Sequence, residues 1–333
     1  MIQLKTPRGL PVDVPEIASE DPSPKFVPGD ATGIRHYYDE NGYVIVRGLF
    51  PEETCRTLRA LWESDIKPFR GFMYRQATAK AETHSFNEHG WVMNPILNLQ
   101  SLNPNRFGRF RDYATDQVLT SQGLTQAFRV LIDDAPKIVQ SMYFEGNSAT
   151  WEHQDSYYLD SEQIGEMAAA WIAVEDISAT AGRFFICPGS HRIKLDDHGL
   201  YNNIAENHET YIGSVVDKIK ANHLEIRAPI MNAGDVLFWN ALTIHGSLDS
   251  QDSAHSRSSV TCHAIPQRHK LLQLQARTID VKTVAINGAR VFRPKDLGMA
   301  KNRAIFLIES RFPGPFYWLK KRAILHMIRG KAA

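Results

Sequence analysis

Seven short strand-like segments follow one another in the second half of this 333-residue chain. They are rich in β-branched and aromatic residues, and turn signals such as Gly146-Asn147 and Pro188-Gly189 separate them. Helical signals come mainly before them and do not alternate with them, so parallel βαβ crossovers are not expected. The pattern predicts an α+β protein or a helix-flanked β-sandwich. The predicted strands cover residues 137–144, 149–155, 167–175, 184–187, 225–229, 235–240 and 258–265.

The helical signals begin near the N-terminus. A short helix is expected over residues 34–41, and the apolar run 43–46 predicts a buried strand. Pro51, followed by two acidic residues, begins a second helix that runs to about Ser64, because proline and acids suit the first turn of a helix. Mixed three-to-four spacing of apolar residues predicts a further helical region between positions 110 and 131.

Along the chain we predict three parts. Residues 1–30, rich in Pro, Asp and Ser, form an N-terminal arm on the surface. Residues 31–310 form a single domain, and residues 311–333 form a basic C-terminal helix. A polar insertion at about 192–228 lies between two core strands, so it is expected to project from a sheet end as a lid. For the C-terminal helix, docking on its own domain or on a second subunit is favoured over a membrane-surface role.

Charge and cysteine content narrow the class of protein. The 38 basic and 37 acidic residues give a formal net charge of +1, so no strong overall field draws the chain to nucleic acid. The three cysteines are odd in number and far apart, which favours a reducing compartment. The N-terminus lacks a signal-peptide pattern, and no apolar run is long enough to span a bilayer. We therefore expect a cytoplasmic protein with no integral membrane segment and no nucleic-acid partner.

A histidine and an aspartate two positions apart, His153 and Asp155, are followed much later by His245 and then by Arg257. Side chains alternate faces along a strand, so His153 and Asp155 can offer an imidazole and a carboxylate to one ion. Two histidines and one carboxylate suit non-haem Fe(II) and leave coordination positions open. Taken alone, His245 is equally well interpreted as a capped strand-end histidine. For Arg257 taken alone, a solvated arginine at a strand edge is the favoured interpretation.

Four motifs around these residues occur in the order HQDSYYL, GRFFICPGSHR, AGDVLFWNALTIHGS and SRSS. Together with the opening stretch HYYDENGYVIVRGLFPEETCRTL, they resemble the phytanoyl-CoA dioxygenase family of Fe(II)/2-oxoglutarate oxygenases. The matching pieces cover about residues 35–66 and 137–266. One departure is Ala181-Gly182, where family members often carry Asn-Gly, and it touches only a turn.

The resemblance implies a double-stranded β-helix, a jelly-roll of cupin type, flanked by helices. It also implies that His153, Asp155 and His245 are iron ligands and that Arg257 binds the distal carboxylate of 2-oxoglutarate, with O₂ as second co-substrate. An arginine suits that role because its planar, permanently charged fork matches a carboxylate. Arg257 is expected to begin a strand that neighbours the His245 strand. In related halogenases the carboxylate ligand is replaced by a small residue, so the presence of Asp155 favours oxygenation.

Further site residues are predicted around this centre. Ser259 shares a strand face with Arg257 and is expected, with Gln140 and Tyr143, to contact 2-oxoglutarate. Arg183 is expected mainly at the surface. The residues predicted to face the substrate are Trp151, Tyr157, Tyr158, Trp171, Arg75 and Asn94.

The function predicted from the sequence is hydroxylation of an unactivated C–H bond in a small biosynthetic or natural-product molecule, with release of succinate and CO₂. One alternative is a non-catalytic or differently metallated member of the fold that binds a ligand. Others are a hydroxylase directed at lipid or acyl substrates and a nucleic-acid demethylase, for which a basic groove would be expected. The oligomeric state, including a homodimer, is left open.

Overall fold

The computed structural model describes residues 1–194 and 204–329, and the side chains of 204–206 and 323–329 lie outside the description. The strands are β1 (Ile2–Lys5), β2 (Pro11–Val14), β3 (Lys25–Phe26), β4 (Tyr43–Val46), β5 (Met73–Tyr74), β6 (Ala81–Glu82), β7 (Ile96–Leu97), β8 (Pro136–Phe144), β9 (Thr150–His153), β10 (Leu159–Ser161), β11 (Ala168–Ala173), β12 (Phe184–Ile186), β13 (Val236–Asn240), β14 (His245–Ser247), β15 (Ser259–Pro266), β16 (Leu271–Gln273), β17 (Arg277–Ile279), β18 (Thr283–Ile286) and β19 (Ala289–Phe292). The α-helices are α1 (Ala31–Asn41), α2 (Glu52–Leu61), α3 (Pro104–Tyr113), α4 (Gln122–Ile132), α5 (Ile204–Ala221), α6 (Ala300–Arg311) and α7 (Pro313–Arg329).

A large sheet forms the centre of the molecule, with strand order β18-β19-β8-β15-β11-β13-β4-β3 and β7 paired to β8. Strands β8, β15, β11, β13 and β4 are antiparallel neighbours. A second sheet, β12-β14-β9, faces its interior side. This is an α+β fold with a jelly-roll core, as predicted.

The two faces of the large sheet have different partners. On one face, alternate residues such as Ala170, Val260 and Phe238 join the helices in the main apolar core. On the other face, Trp171 and Trp239 pack with Phe184 of the smaller sheet. Because the side chains of a strand alternate, each of these strands is buried on both faces. The interior between the two sheets is therefore separate from the helix-packed core.

Most of the predicted strands are present with small changes at their ends, but residues 225–229 do not form one. That segment makes a single bridge, Arg227 to Ile186, and Pro229 has no N–H to extend the pairing. Strands β16 to β19 were not predicted, because short, partly exposed strands carry little periodic signal.

The predicted N-terminal arm, residues 1–30, contains the hairpin β1-β2 and the strand β3, which joins the edge of the large sheet. Val12 and Val14 are buried with Phe185 and Leu248 of the main body. Alternation of apolar and polar residues in β2 gives the hairpin one buried face. The division between arm and domain stays a prediction.

Within the predicted lid, 192–228, residues 195–203 lie outside the described part. Helix α5, Ile204–Ala221, lies within this range and packs Tyr211, Ile212 and Val215 against Tyr157 and Ile244. Residues 330–333 of the predicted C-terminal helix also lie outside the description, while α6 and α7 form a helical pair before them. No helix in the described ranges is long and apolar enough to cross a membrane.

Candidate metal centre

Three of the predicted ligands lie together between the two sheets. His153 ends β9, His245 begins β14, and the two residues are register partners. Asp155 begins a short 3₁₀ turn directly after β9. Its Oδ1 lies 3.6 Å from His153 Nε2 and 3.6 Å from His245 Nε2. All three side chains are buried and their ligand atoms lie within 4.8 Å of one another, so they can hold one metal ion.

The strands that carry the histidines approach each other very closely. Gly246 follows His245, and a Cβ at this position would lie 2.5 Å from the carbonyl oxygen of Thr150. A side chain here would push β14 away from β9 and separate the two imidazoles. Glycine at this position is therefore required by the geometry of the site.

Both imidazoles are held by backbone carbonyl groups. His153 Nδ1 lies 2.8 Å from the carbonyl oxygen of Trp151, and His245 Nδ1 lies 2.9 Å from that of Thr243. A carbonyl can only accept, so each Nδ1 carries a hydrogen, and Nε2 is the ring atom left to bind a metal. This arrangement fixes the tautomer and the ring orientation that a metal ligand needs.

Two residues that the sequence reasoning missed bind the other oxygen of Asp155. Trp239 donates from Nε1 to Oδ2 over 2.8 Å, and His263 Nε2 lies 3.2 Å from the same atom. Ala169 lies between them in the sheet as the register partner of both. Its small side chain leaves room for the two larger ones to converge. Side chains alternate along an extended chain, so positions 257, 259, 261 and 263 share one face. This spacing is the sequence signal that could have identified His263 as a site residue.

Burial and charge set the protonation of the centre. Burial lowers the pKa of His245 to about 3, which keeps the imidazole neutral. Burial alone would raise the pKa of Asp155, but the neighbouring histidines His245, His263 and His153 outweigh it and hold that pKa well below its usual value. An ionised carboxylate is the form of Asp155 that binding of a divalent metal requires.

Arg257 lies just before β15 and is 2% exposed. Its side chain has no hydrogen bond or ion pair with any described residue, and its Nε is buried without a partner. Its nearest aromatic neighbours are Phe144, with the ring centre 5.3 Å from Cζ, and Trp171, at 6.0 Å. Burial lowers its pKa to about 10, so the group is still charged near neutral pH. A buried guanidinium without a partner lowers the stability of the fold unless an anion binds to it.

The position of Arg257 corrects one expectation about the strands. Strand β15 pairs with β11 and β8, and the His245 strand belongs to the smaller sheet. Arg257, just before β15, and His245 therefore belong to different sheets. A row of aromatic contacts connects them, from Trp171 to Phe184 at 6.0 Å and from Phe184 to His245 at 5.4 Å.

A model of the phytanoyl-CoA dioxygenase family matches residues 38–259, which is more than half of the chain. The chain belongs to the phytanoyl-CoA dioxygenase family. It is 23% identical to human peroxisomal phytanoyl-CoA dioxygenase over 239 residues, covering 69% of this chain and 66% of the relative. It is 31% identical over 135 residues to mouse phytanoyl-CoA dioxygenase domain-containing protein 1, covering 38% and 44%. The chain thus spans slightly less than two thirds of the human relative.

Two solved structures have a similar fold. The α-ketoglutarate-dependent carbocyclase SnoK from nogalamycin biosynthesis matches with a TM-score of 0.53 at 16% identity, covering 72% of this chain and 85% of its own. EctD from S. alaskensis, with 2-oxoglutarate and 5-hydroxyectoine, matches with a TM-score of 0.51 at 16% identity, covering 90% and 94%. These likenesses show that the family member has the same fold as those proteins.

The residues predicted to contact 2-oxoglutarate separate onto two faces. Gln140 is the register partner of His263 and Ser259 is that of Phe144, so both lie on the interior face. Tyr143 lies on the other face, where it stacks on Trp62 with ring centres 4.1 Å apart. The prediction for Tyr143 is therefore wrong. Residues 140 and 143 are an odd number of positions apart, so they cannot share one strand face.

Three of the aromatic residues predicted to face the substrate, Trp151, Tyr157 and Tyr158, lie on the side of the ligands next to α5, whereas Trp171 lies on β11 against Phe184. Tyr158 packs edge-on to His153 with ring centres 5.7 Å apart, and its hydroxyl lies 2.8 Å from His208 Nε2. Trp151 is 38% exposed and packs edge-on against His208. Tyr157 is buried and stacks on Tyr211, with ring centres 3.6 Å apart. Trp151 and Tyr158 thus contact His208 of α5 beside the ligands, whereas Tyr157 packs on Tyr211 of the same helix.

The loop residues Arg75 and Asn94 have a structural role in place of the predicted contact with substrate. Arg75 is buried and donates to the carbonyl groups of Glu82 and Asn94. The Asn94 side chain bonds the backbone of Ser85 and Thr83. Both residues are therefore occupied in holding one loop together.

Arg183 also differs from its prediction, because it is buried and not at the surface. It donates to the carbonyl oxygens of Ile177, over 3.3 Å, and Pro15, over 2.6 Å. The N-terminal segment next to the hairpin buries Arg183. The sequence alone did not predict this contact.

Proposed function

We propose that the protein is a non-haem Fe(II)- and 2-oxoglutarate-dependent oxygenase that hydroxylates an unactivated C–H bond of a small molecule. The observation that carries this proposal is the buried triad of two imidazoles and one carboxylate, with an unpaired arginine in the same interior. Fe(II) and 2-oxoglutarate, when bound, supply activation of O₂ for removal of a hydrogen atom, with release of succinate and CO₂.

The triad suits iron because each ligand atom is fixed before a metal arrives. His153 and His245 would bind through Nε2, since their Nδ1 atoms are bonded to carbonyl groups. Asp155 would bind through Oδ1, since Oδ2 is bonded to Trp239 and His263. Three ligands on one side leave the remaining coordination positions open to co-substrates.

Arg257 would hold the distal carboxylate of 2-oxoglutarate. The guanidinium has no anionic partner among the described residues, and the rings of Phe144 and Trp171 keep water from it. A carboxylate would form two parallel charge-assisted hydrogen bonds with this fork. Ser259 and Gln140, on the same interior face, are proposed as additional contacts. Trp151, Tyr158 and Trp171 are proposed to position the substrate and exclude water.

The proposal is tested by metal and co-substrate binding before turnover. Adding Fe(II) and 2-oxoglutarate without O₂ should produce a weak visible charge-transfer band, and adding O₂ should produce succinate. Asp155→Ala should abolish both turnover and the band while the fold is largely retained. Arg257→Ala should mainly raise the concentration of 2-oxoglutarate required. Full hydroxylation by Asp155→Ala would show that the ligand assignment is wrong. No band and no succinate across a substrate panel would instead support a non-catalytic or differently metallated protein.

For the substrate, we propose a biosynthetic or natural-product molecule. The near-neutral charge of the chain gives no general attraction for a polyanionic substrate such as nucleic acid. The curated relatives are named for phytanoyl-CoA, so a lipid or acyl substrate is the second candidate. Succinate formation that is stimulated by acyl thioesters, and not by hydroxyl-bearing or amino-acid molecules, would favour the second candidate. The cytoplasmic location, a homodimer and the lack of a nucleic-acid partner stay predictions from sequence.

A further inference from the structure

The C-terminal segment carries a charge that the neutral composition hides. From Met299 to the end, the sequence has eight Lys or Arg residues and a single acidic one, Glu309. The first 298 positions hold the other 30 of the 38 basic residues and 36 of the 37 acidic ones. The protein is therefore a slightly acidic body joined to a strongly basic segment.

The single acidic residue of the segment is used to attach it to the body. Glu309 is 1% exposed and accepts hydrogen bonds from Tyr74, over 3.0 Å, and from Tyr317. Lys295 lies 3.6 Å from its carboxylate, and Phe306 packs edge-on against Tyr74. These contacts bind one side of the helical pair α6 and α7 to the domain and remove its negative charge from the surface.

The exposed surface of this helical pair carries both basic and apolar residues. Seven of the sixteen large apolar side chains that are exposed among the described residues lie between positions 299 and 319. They include Ile305 and Ile308 on α6, Phe312 directly after α6, and Trp318 and Leu319 on α7. Isolated exposed apolar residues are ordinary, but such a concentration marks an interaction surface.

The basic residues stand among these apolar side chains. The five that are exposed and form no ion pair with a described residue are Lys301, Arg311, Lys320, Lys321 and Arg322. The guanidinium of Arg322 lies 4.0 Å above the ring of Trp318. Lysine and arginine residues next to tryptophan and aliphatic residues are typical of helices that lie in the interface of an anionic bilayer.

We propose that the exposed surface of α6 and α7 binds an anionic lipid membrane. The lysine and arginine groups would meet lipid phosphates, while Trp318, Leu319 and Phe312 enter the headgroup region. A second copy of the chain fits this surface less well, because a twofold interface would bring the same basic residues of two molecules together and they would repel each other. The proposal concerns the location of the protein and is independent of the iron site.

The test is sedimentation of the full-length protein with vesicles. Binding is expected to phosphatidylcholine vesicles that contain about a third phosphatidylglycerol, and not to pure phosphatidylcholine, and it should weaken as salt rises. The triple variant Lys320→Glu, Lys321→Glu, Arg322→Glu should bind roughly a hundredfold more weakly. A matched control reverses three exposed lysines elsewhere, Lys5→Glu, Lys194→Glu and Lys282→Glu, and should bind like the wild type.

A second variant separates lipid insertion from simple attraction between charges. Trp318→Ser with Leu319→Ser keeps every charge and should weaken binding at least about tenfold. Leu274→Ser, at a comparably exposed apolar residue of the body, is its control. The proposal is overturned by absence of binding to anionic vesicles, by equal losses in the controls, or by unchanged binding in the Trp318/Leu319 variant. The proposal is also overturned if the wild-type protein forms concentration-dependent dimers and the Trp318/Leu319 variant does not. That result would show that this surface binds a second copy of the chain.

Discussion

Trp239 and Asp155 are joined by a hydrogen bond of 2.8 Å, from the indole Nε1 to carboxylate Oδ2. His263 Nε2 lies 3.2 Å from the same oxygen. Because both groups occupy Oδ2, Oδ1 is the oxygen that faces His153 and His245, at 3.6 Å from each. Two residues of the large sheet thus bind Oδ2 of Asp155 and leave Oδ1 free to bind a metal.

Trp239→Phe should therefore weaken metal binding while leaving the three ligands in place. Loss of a hydrogen bond to a ligand commonly costs roughly tenfold to a hundredfold in metal affinity. Titration of the metal-free protein with Co(II) or Mn(II) measures this directly and needs no substrate. Trp171→Phe makes the same chemical change on the neighbouring strand, where no bond to Asp155 is made, and should bind metal like the wild type. Equal affinity in the two variants would remove Trp239 from this role.

His263→Gln and His263→Leu provide a second comparison at the same oxygen. Glutamine keeps an N–H donor, whereas leucine leaves Oδ2 with one donor fewer in a buried site. We expect the glutamine variant to retain more metal affinity than the leucine variant, measured by the same titration. The reverse order would show that His263 acts only through packing.

Ala169 should be intolerant of a larger side chain, because it lies between Trp239 and His263 in the sheet. Ala169→Leu is expected to cost about 1–3 kcal/mol of unfolding free energy through overpacking and also to reduce metal affinity. Ala170→Leu is the matched control, since Ala170 is equally buried but faces the helices. It should cost stability, measured by denaturant unfolding, and leave metal affinity unchanged. A similar loss of affinity in both variants would argue against a local effect.

The sequence predicted the strands of the core because alternation and turn residues mark them, and it predicted the metal triad because the ligand types are specific. It did not predict Trp239 as a partner of Asp155, because that contact joins two sheets and has no sequence spacing. Tyr143 and Gln140 cannot both contact 2-oxoglutarate from one strand face, because residues three positions apart point to opposite sides of a strand. The cover over Arg183 could not be predicted, because the hairpin that provides it lies far away in the sequence.

Arg257→Met should make the fold more stable while it weakens binding of 2-oxoglutarate. Methionine removes a buried charge that has no partner among the described residues, which should raise the unfolding free energy by about 1 kcal/mol or more. Arg183→Met should have the opposite effect and cost about 1–3 kcal/mol, because the carbonyl groups of Pro15 and Ile177 lose their donor. Denaturant unfolding, with and without 2-oxoglutarate and metal, measures both quantities. A loss of stability in Arg257→Met would mean that its guanidinium already has a partner.

His84 should make the stability of the fold dependent on pH on the acid side. Its Nε2 lies 3.0 Å from the carbonyl oxygen of Ile66, and its Nδ1 lies 3.1 Å from the guanidinium of Arg75. Carbonyl and guanidinium together require the neutral ring, with hydrogen on Nε2 only. Burial lowers the pKa of His84 from 6.5 to about 4, and the positive charge of Arg75 acts in the same direction.

A pKa that is lower in the folded state means that the unfolded chain binds the proton first as pH falls. The contribution of His84 to stability is therefore fully present above about pH 6.5 and is lost progressively down to about pH 4. His84→Gln cannot take up a proton and should lack this part of the slope when unfolding free energy is measured between those limits. Thr83→Ala, an exposed neighbour in the same loop, keeps His84 and should retain the slope. If the glutamine variant showed the wild-type slope, the acid-side loss would have to come from other groups.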